Sequence, residues 1–290
     1  MIVIQNIARR VIICLSLALS CFTGHAAGVD TIGLRSDRRY KEIRDEWRRR
    51  KGEIADLRNK LSTQAERLAT KDPGAARQKM LEWKTRISSL NITLRNLDTL
   101  EKSSQIYTLK DTSFQSNAGE TLTRCVARGK DTLIEFLIVN TASFVHETTH
   151  GGQFELGKMA YFRTKKGGSI ADDLFDERDA YRAQYAFDPD FVSRLGKSAL
   201  SGASAITPEW VRNLAYPNGC LLYDTSVNRI AANGDSCIPA NVAWIEVTIT
   251  SPKAVLEKAY PGVFGAWKDS PTNYILKNDP QFYIAPALRH

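Results

Sequence analysis

The stretch Asp131-Thr132-Leu133-Ile134-Glu135-Phe136-Leu137-Ile138-Val139 runs directly into Asn140-Thr141-Ala142-Ser143-Phe144-Val145-His146-Glu147-Thr148-Thr149-His150. The first nine residues are largely apolar and rich in β-branched and aromatic side chains, which favours a strand. Asn140 or Thr141 can then cap a helix whose apolar positions include Ala142, Phe144 and Val145. His146 and His150 lie four apart on that helix, hence on one face, where two imidazoles can share one metal ion. Glu147, one step round, can reach a water molecule at that ion and take its proton. The chain has four histidines, His25, His146, His150 and His290, and two of them stand in this pattern.

A second helix is read over residues 172–185, with Leu174, Ala180, Tyr181, Ala183 and Tyr185 as its apolar positions. Glu177 falls on its mixed face, far enough beyond His150 for a loop, Gly157 to Gly168, and a returning helix. Asp176 and Asp179 on the same segment are rival third ligands. Gly151-Gly152 is costly inside a helix, each glycine losing up to about 1 kcal/mol against alanine. Two readings account for the pair: close approach of another backbone, with Gln153 to Leu156 continuing the helix until Gly157 stops it, or a helix end at His150.

His146-Glu147-Thr148-Thr149-His150 followed by Glu177-Arg178-Asp179-Ala180 resembles the gluzincin group of zinc metallopeptidases, in which H-E-x-x-H precedes a downstream E-x-x-A. The resemblance covers about residues 130–190. It implies Zn²⁺ held by His146, His150 and Glu177, and Glu147 as general base. It further implies a zincin-like domain whose edge strand lines the cleft and takes up a peptide through backbone hydrogen bonds. Tyr161, Tyr181 and Tyr185 are the candidate donors to the oxyanion, with core packing as the alternative for each. A metzincin would need glycine three and histidine six residues after His150, where Gln153 and Leu156 stand.

Residues 1–27 read as a signal peptide. Arg9-Arg10 is the positive region, Val11 to Phe22 the apolar core, and Gly24, Ala26 and Ala27 the small residues before cleavage. A dozen apolar residues fall short of the roughly 20 that span a bilayer. The mature protein is therefore expected to be periplasmic or secreted, with a lipid anchor at Cys21 as the alternative and no membrane span. Cys220 and Cys237 flank a turn-rich loop and suit a disulfide in an oxidising compartment. Cys125 reads as a buried apolar residue.

The chain carries a net charge of +8 over its 290 residues, unevenly placed. Residues 35–110 hold 20 Lys/Arg against 11 Asp/Glu, a net of +9. In the same region, Ile43, Trp47, Ile54, Leu57, Leu61 and Leu68, then Met80, Trp83, Ile87, Leu90, Leu94 and Leu97, repeat at helical spacing around the break at Asp72-Pro73-Gly74. An antiparallel, coiled-coil-like hairpin follows. Its sharpest basic cluster is Arg48-Arg49-Arg50-Lys51, readable as a solvated face or as contact with an anionic envelope component or a partner's acidic surface. Nucleic acid is not an expected partner.

Three strands are expected over residues 105–139, at Gln105 to Ser113, Thr121 to Ala127 and Asp131 to Val139, forming a small antiparallel sheet. Thr207-Pro208 starts a further helix, Val242 to Thr250 reads as a strand, Ser251-Pro252 opens a helix through Ala259, and the tail from Pro261 is irregular. The fold class is thus α+β: a signal peptide (1–27), a basic helical hairpin (28–104) and a zincin-like catalytic domain (105–290). The expected activity is hydrolysis of a peptide or protein substrate at zinc. The alternative is a non-catalytic, envelope-associated interaction protein acting through its hairpin.

Overall fold

The computed structural model describes residues 41–71, 77–113, 121–128, 131–162, 169–171, 174–196, 200–215 and 219–222, with 230, 234, 282–283 and 285–286. Mixed α+β architecture is observed: six helices, one three-stranded mixed sheet and a second small sheet among these residues.

Helices α1 (Lys41–Lys71) and α2 (Arg77–Lys102) form the expected hairpin. They run antiparallel, because Trp47 Nε1 donates to Glu101 Oε1 at 2.9 Å while Lys51 Nζ reaches Asp98 at 2.6 Å. Trp47, Ile54 and Leu61 recur every seventh residue and are buried, facing Leu90, Leu97 and Leu100 of α2. The same buried cluster takes in Tyr107, Phe136 and Phe144. The hairpin, the sheet and the helix that carries the histidine pair therefore share one core.

The basic cluster on α1 is spent internally. Arg48 pairs with Asp45, and Arg49 with Glu46 and Glu53. Lys51 pairs with Asp98 and Glu101. Arg50 is buried and bonded to Glu46, Asp111 and Thr141, so it ties α1 to the sheet and to the start of the next helix.

Strands β1 (Ile106–Asp111), β2 (Leu122–Arg128) and β3 (Asp131–Ile138) fall where the alternation placed them. Their order corrects the antiparallel expectation. The order is β1-β3-β2, with β3 central, parallel to β1 and antiparallel to β2. The cause lies in β3, where Leu133, Ile134, Phe136, Leu137 and Ile138 are all buried. A strand apolar on both faces needs a neighbour on each side and cover on each face. Glu135 is the polar exception, and Arg124 opposite it on β2 donates from Nε at 2.6 Å.

Helix α3 (Thr141–Glu155) follows β3. Asn140 is its cap: its side chain accepts from Ser143 N, while the Ser143 hydroxyl accepts from Asn140 N. Every residue from Thr141 to Phe154 is buried. The glycine pair explains how so crowded a helix fits. A Cβ on Gly151 would lie 2.8 Å from Phe136 Cζ and 3.0 Å from Leu100 Cδ1, and one on Gly152 would lie 2.9 Å from the Asn96 side chain. Gly157, at φ 70°, then ends the turn.

The expected loop after Gly157 contains a short hairpin instead, β4 (Ala160–Phe162) and β5 (Ser169–Ala171). β6 (Phe282–Tyr283), in the tail read as irregular, pairs with β4, and Tyr283 donates its hydroxyl to Gln105 Oε1 at 2.6 Å. Helix α4 (Leu174–Phe187) returns against α3, followed by α5 (Pro189–Leu195) and α6 (Pro208–Arg212). Thr207 caps α6 by accepting from Trp210 N. Cys220 is buried and disulfide-bonded; Cys237, expected as its partner, lies outside the described residues. Cys125 is buried as expected. The expected signal peptide, the break at 72–74, the strand read from Val242 and the helix read from Ser251 also lie outside them. No helix among the described residues is long and apolar enough to cross a membrane.

Candidate metal centre

His146, His150 and Glu177 meet between α3 and α4, with one donor atom from each within 4.8 Å of the others. All three are buried, at 4 %, 1 % and 3 % exposure. His150 Nε2 lies 3.3 Å from His146 Nε2 and 3.2 Å from Glu177 Oε1, and His146 Nε2 lies 3.5 Å from Glu177 Oε2. Two nitrogens each ~2.05 Å from a tetrahedral ion stand about 3.3 Å apart. The separation of the two imidazole nitrogens matches that edge length, and each nitrogen has one Glu177 oxygen at a similar distance.

The opposite sides of the imidazoles decide which nitrogens face inward. His146 Nδ1 lies 3.2 Å from Gln184 Oε1, and His150 Nδ1 lies 2.8 Å from Gln153 Oε1. An amide oxygen can only accept, so each Nδ1 carries the proton and donates. Each Nε2 of the neutral ring is then a lone pair directed at Glu177. Two imidazole lone pairs and a carboxylate converging on one point repel one another unless a cation is shared among them. The group His146, His150 and Glu177 could therefore hold a metal ion, and the donor chemistry fits one.

Gln153 reaches further. Its Nε2 donates to the backbone carbonyl of Asp176 at 2.8 Å, so one side chain holds the His150 ring and the first turn of α4 together. Gln184 stands two helical turns after Glu177 on α4 and returns the contact to α3 at His146. Neither glutamine was read from the sequence. Their spacing, three after His150 and seven after Glu177, was the available signal.

Glu147 lies beside the triad with 2 % exposure. Thr123 on β2 donates its hydroxyl to Glu147 Oε2 at 2.7 Å. Oε1 is buried without a hydrogen-bond partner among the described residues. Burial pushes the Glu147 carboxyl up from its ordinary value, against the opposing pull of His146, His150 and the Thr123 hydrogen bond. For Glu177, burial also acts upward. Without a metal ion, protons on the imidazole Nε2 atoms take the cation's place, and the resulting positive charge at His150 and hydrogen bonds from both rings outweigh burial and hold this carboxyl well below the usual range. The two glutamates are thus driven apart: one favours the carboxylate and the other retains affinity for a proton.

Of the rival ligands, Asp176 contributes its backbone carbonyl to Gln153, and Asp179 pairs with Arg178 at 2.7 Å; neither belongs to the triad. Of the three tyrosines, Tyr181 touches the triad, its ring packed edge-on to His146 with centroids 4.6 Å apart. Tyr161 packs on Phe154 in the main core, and Tyr185 belongs to the smaller cluster with Val192 and Leu214.

Comparison with protein families, with curated proteins and with solved structures finds no match to this chain.

Proposed function

We propose that the protein is a zinc-dependent hydrolase, most directly a metallopeptidase of gluzincin type, with zinc held by His146, His150 and Glu177. The carrying observation is the convergence of two imidazole nitrogens 3.3 Å apart on the Glu177 carboxylate, beside a buried Glu147 carboxylate whose Oε1 has no partner among the described residues. When bound, the ion supplies Lewis acidity, polarising a carbonyl and bringing the pKa of a water molecule towards neutrality. Glu147 removes the proton from the attacking water and passes it to the leaving nitrogen. Its raised pKa suits both transfers, since a carboxylate at its ordinary value would be a weak base. Thr123 fixes the rotamer by holding Oε2, which leaves Oε1 as the proton-transferring oxygen. β2, which carries Thr123, is an edge of the sheet, the position an extended peptide would use. Export to the periplasm or medium is part of the proposal, resting on residues 1–27.

A second reading is a non-catalytic interaction protein with a structural metal site. Near-complete burial of all four side chains favours it. Three ligands count against it, because structural zinc sites use four. Substituting Glu147→Gln in the full chain separates the two. The hydrolase reading expects zinc content unchanged and cleavage of a denatured casein substrate reduced by roughly 10²-fold or more. Wild-type protein that binds zinc but leaves a broad peptide library uncut contradicts the hydrolase reading and favours the structural one.

A further inference from the structure

A groove of about 700 Å³ opens between α2, α3 and α4, with Thr149, Gly152 and Gln153 of α3 at its floor. That volume is within the range of binding pockets, roughly 300–1,000 Å³. Its walls carry Lys84, Arg86, Lys158 and Arg182 against a single acid, Asp179, which is already paired with Arg178; Arg86 is engaged by Glu82 and the Ala186 carbonyl, and Arg182 by the carbonyls of Ala203 and Ile206. Lys84 and Lys158 have no ion-pair partner among the described residues, in contrast to the paired cations of α1. Ile92 and Leu156 also line the groove and are unusually exposed for large apolar side chains, at 48 % and 66 %. Ser88, Ser89 and Asn96 follow Lys84 along the same face of α2, their side chains without hydrogen-bond partners among the described residues.

We propose that this groove binds an acidic peptide segment in extended form. Unpaired cations select carboxylates, the two exposed apolar side chains take up alternate apolar residues, and the hydroxyl and amide groups serve a peptide backbone. Length agrees: the twelve helical steps of α2 from Lys84 to Asn96 rise about 18 Å at ~1.5 Å each, and five extended residues span about 17 Å at ~3.3 Å each. The site is separate from the metal ligands and requires no hydrolysis. The open cations of the groove are Lys84 on α2 and Lys158 just beyond α3, in contrast to the paired Arg48-Arg49-Arg50-Lys51.

The test is fluorescence anisotropy with a labelled pentapeptide of alternating aspartate and leucine, titrated with the purified full chain. Saturable binding is expected, at least about tenfold weaker for the asparagine counterpart and for the Lys84→Glu/Lys158→Glu double variant, whose exposed sites leave the thermal melt unchanged. Binding in His146→Ala equal to wild type is expected. No saturable binding, or binding indifferent to the double charge reversal, overturns the proposal. Loss of binding in His146→Ala places the peptide at the metal centre and also overturns it. Displacement by inorganic phosphate as effective as by unlabelled peptide marks a simple anion site and overturns it as well.

Discussion

Replacing Gln153 by alanine separates the orientation of a ligand from the ligand itself. The side chain is buried and makes two contacts, 2.8 Å to His150 Nδ1 and 2.8 Å to the Asp176 carbonyl. Alanine removes both and leaves a buried imidazole N–H without an acceptor, a penalty of about 1–3 kcal/mol. With the second lost bond at about 1 kcal/mol, the fold should lose roughly 2–4 kcal/mol. The metal site should suffer as well. The freed ring can rotate or take its proton on Nε2, where it no longer ligates. Loss of such an orienting group lowers metal affinity by about 10- to 100-fold, or about 1.4–2.7 kcal/mol. The assay is competition for zinc against a chromophoric chelator at neutral pH, beside urea unfolding of the metal-free proteins. Gln153→Glu restores the acceptor for His150 Nδ1 but sets a carboxylate oxygen against the Asp176 carbonyl, so it should recover part of the zinc affinity while the fold stays destabilised. If Gln153→Ala binds zinc as wild type does while remaining folded, the argument that Nδ1 contacts direct both Nε2 atoms inward is refuted.

Gly151→Ala gains up to about 1 kcal/mol of helix propensity but drives a methyl against Phe136 and Leu100; overpacking at about 1–3 kcal/mol should win, lowering the urea midpoint by the equivalent of up to about 2 kcal/mol. Trp47→Ala empties a fully buried site packed on Phe144 and should cost about 3–5 kcal/mol, detected as one cooperative loss of hairpin and sheet structure by circular dichroism. Tyr107 donates its hydroxyl to Glu155, and burial followed by the Glu155 charge raises its pKa. An acid whose folded pKa is raised contributes stability below its unfolded value, near 10, and loses it above. Stability should therefore fall as pH rises past about 10, and Tyr107→Phe should flatten that limb of the denaturation profile.

Local chemistry made much of this legible. The H-E-x-x-H spacing announced His146, Glu147 and His150, because helical geometry alone puts positions four apart on one face. Glu177 required only a return helix of suitable length. The glycine pair at 151–152 was readable as close packing because its propensity cost needed an offset, but the close neighbours are the side chains of Asn96, Leu100 and Phe136 and not the expected backbone. What escaped the sequence depended on tertiary choice. Strand order did, since alternation locates β1, β2 and β3 but only the double-faced burial of β3 makes it central. The pairing of β6 with β4 did too, as two residues carry no periodic signal. Gln153 and Gln184 look like ordinary helix polar residues until α3 and α4 are opposed. The Arg48–Lys51 cluster looked available because Asp98, Glu101 and Asp111, which pair with Lys51 and Arg50, are far away in the chain.

The most direct test is the metal content of the purified chain by plasma mass spectrometry after zinc loading and desalting at neutral pH, beside His146→Ala and Glu177→Ala. The three-donor centre predicts about one zinc per wild-type chain, held weakly or not at all by either variant, and a thermal midpoint raised by zinc in wild type alone. Wild-type protein that retains no zinc, or that retains it equally in both variants, would contradict it.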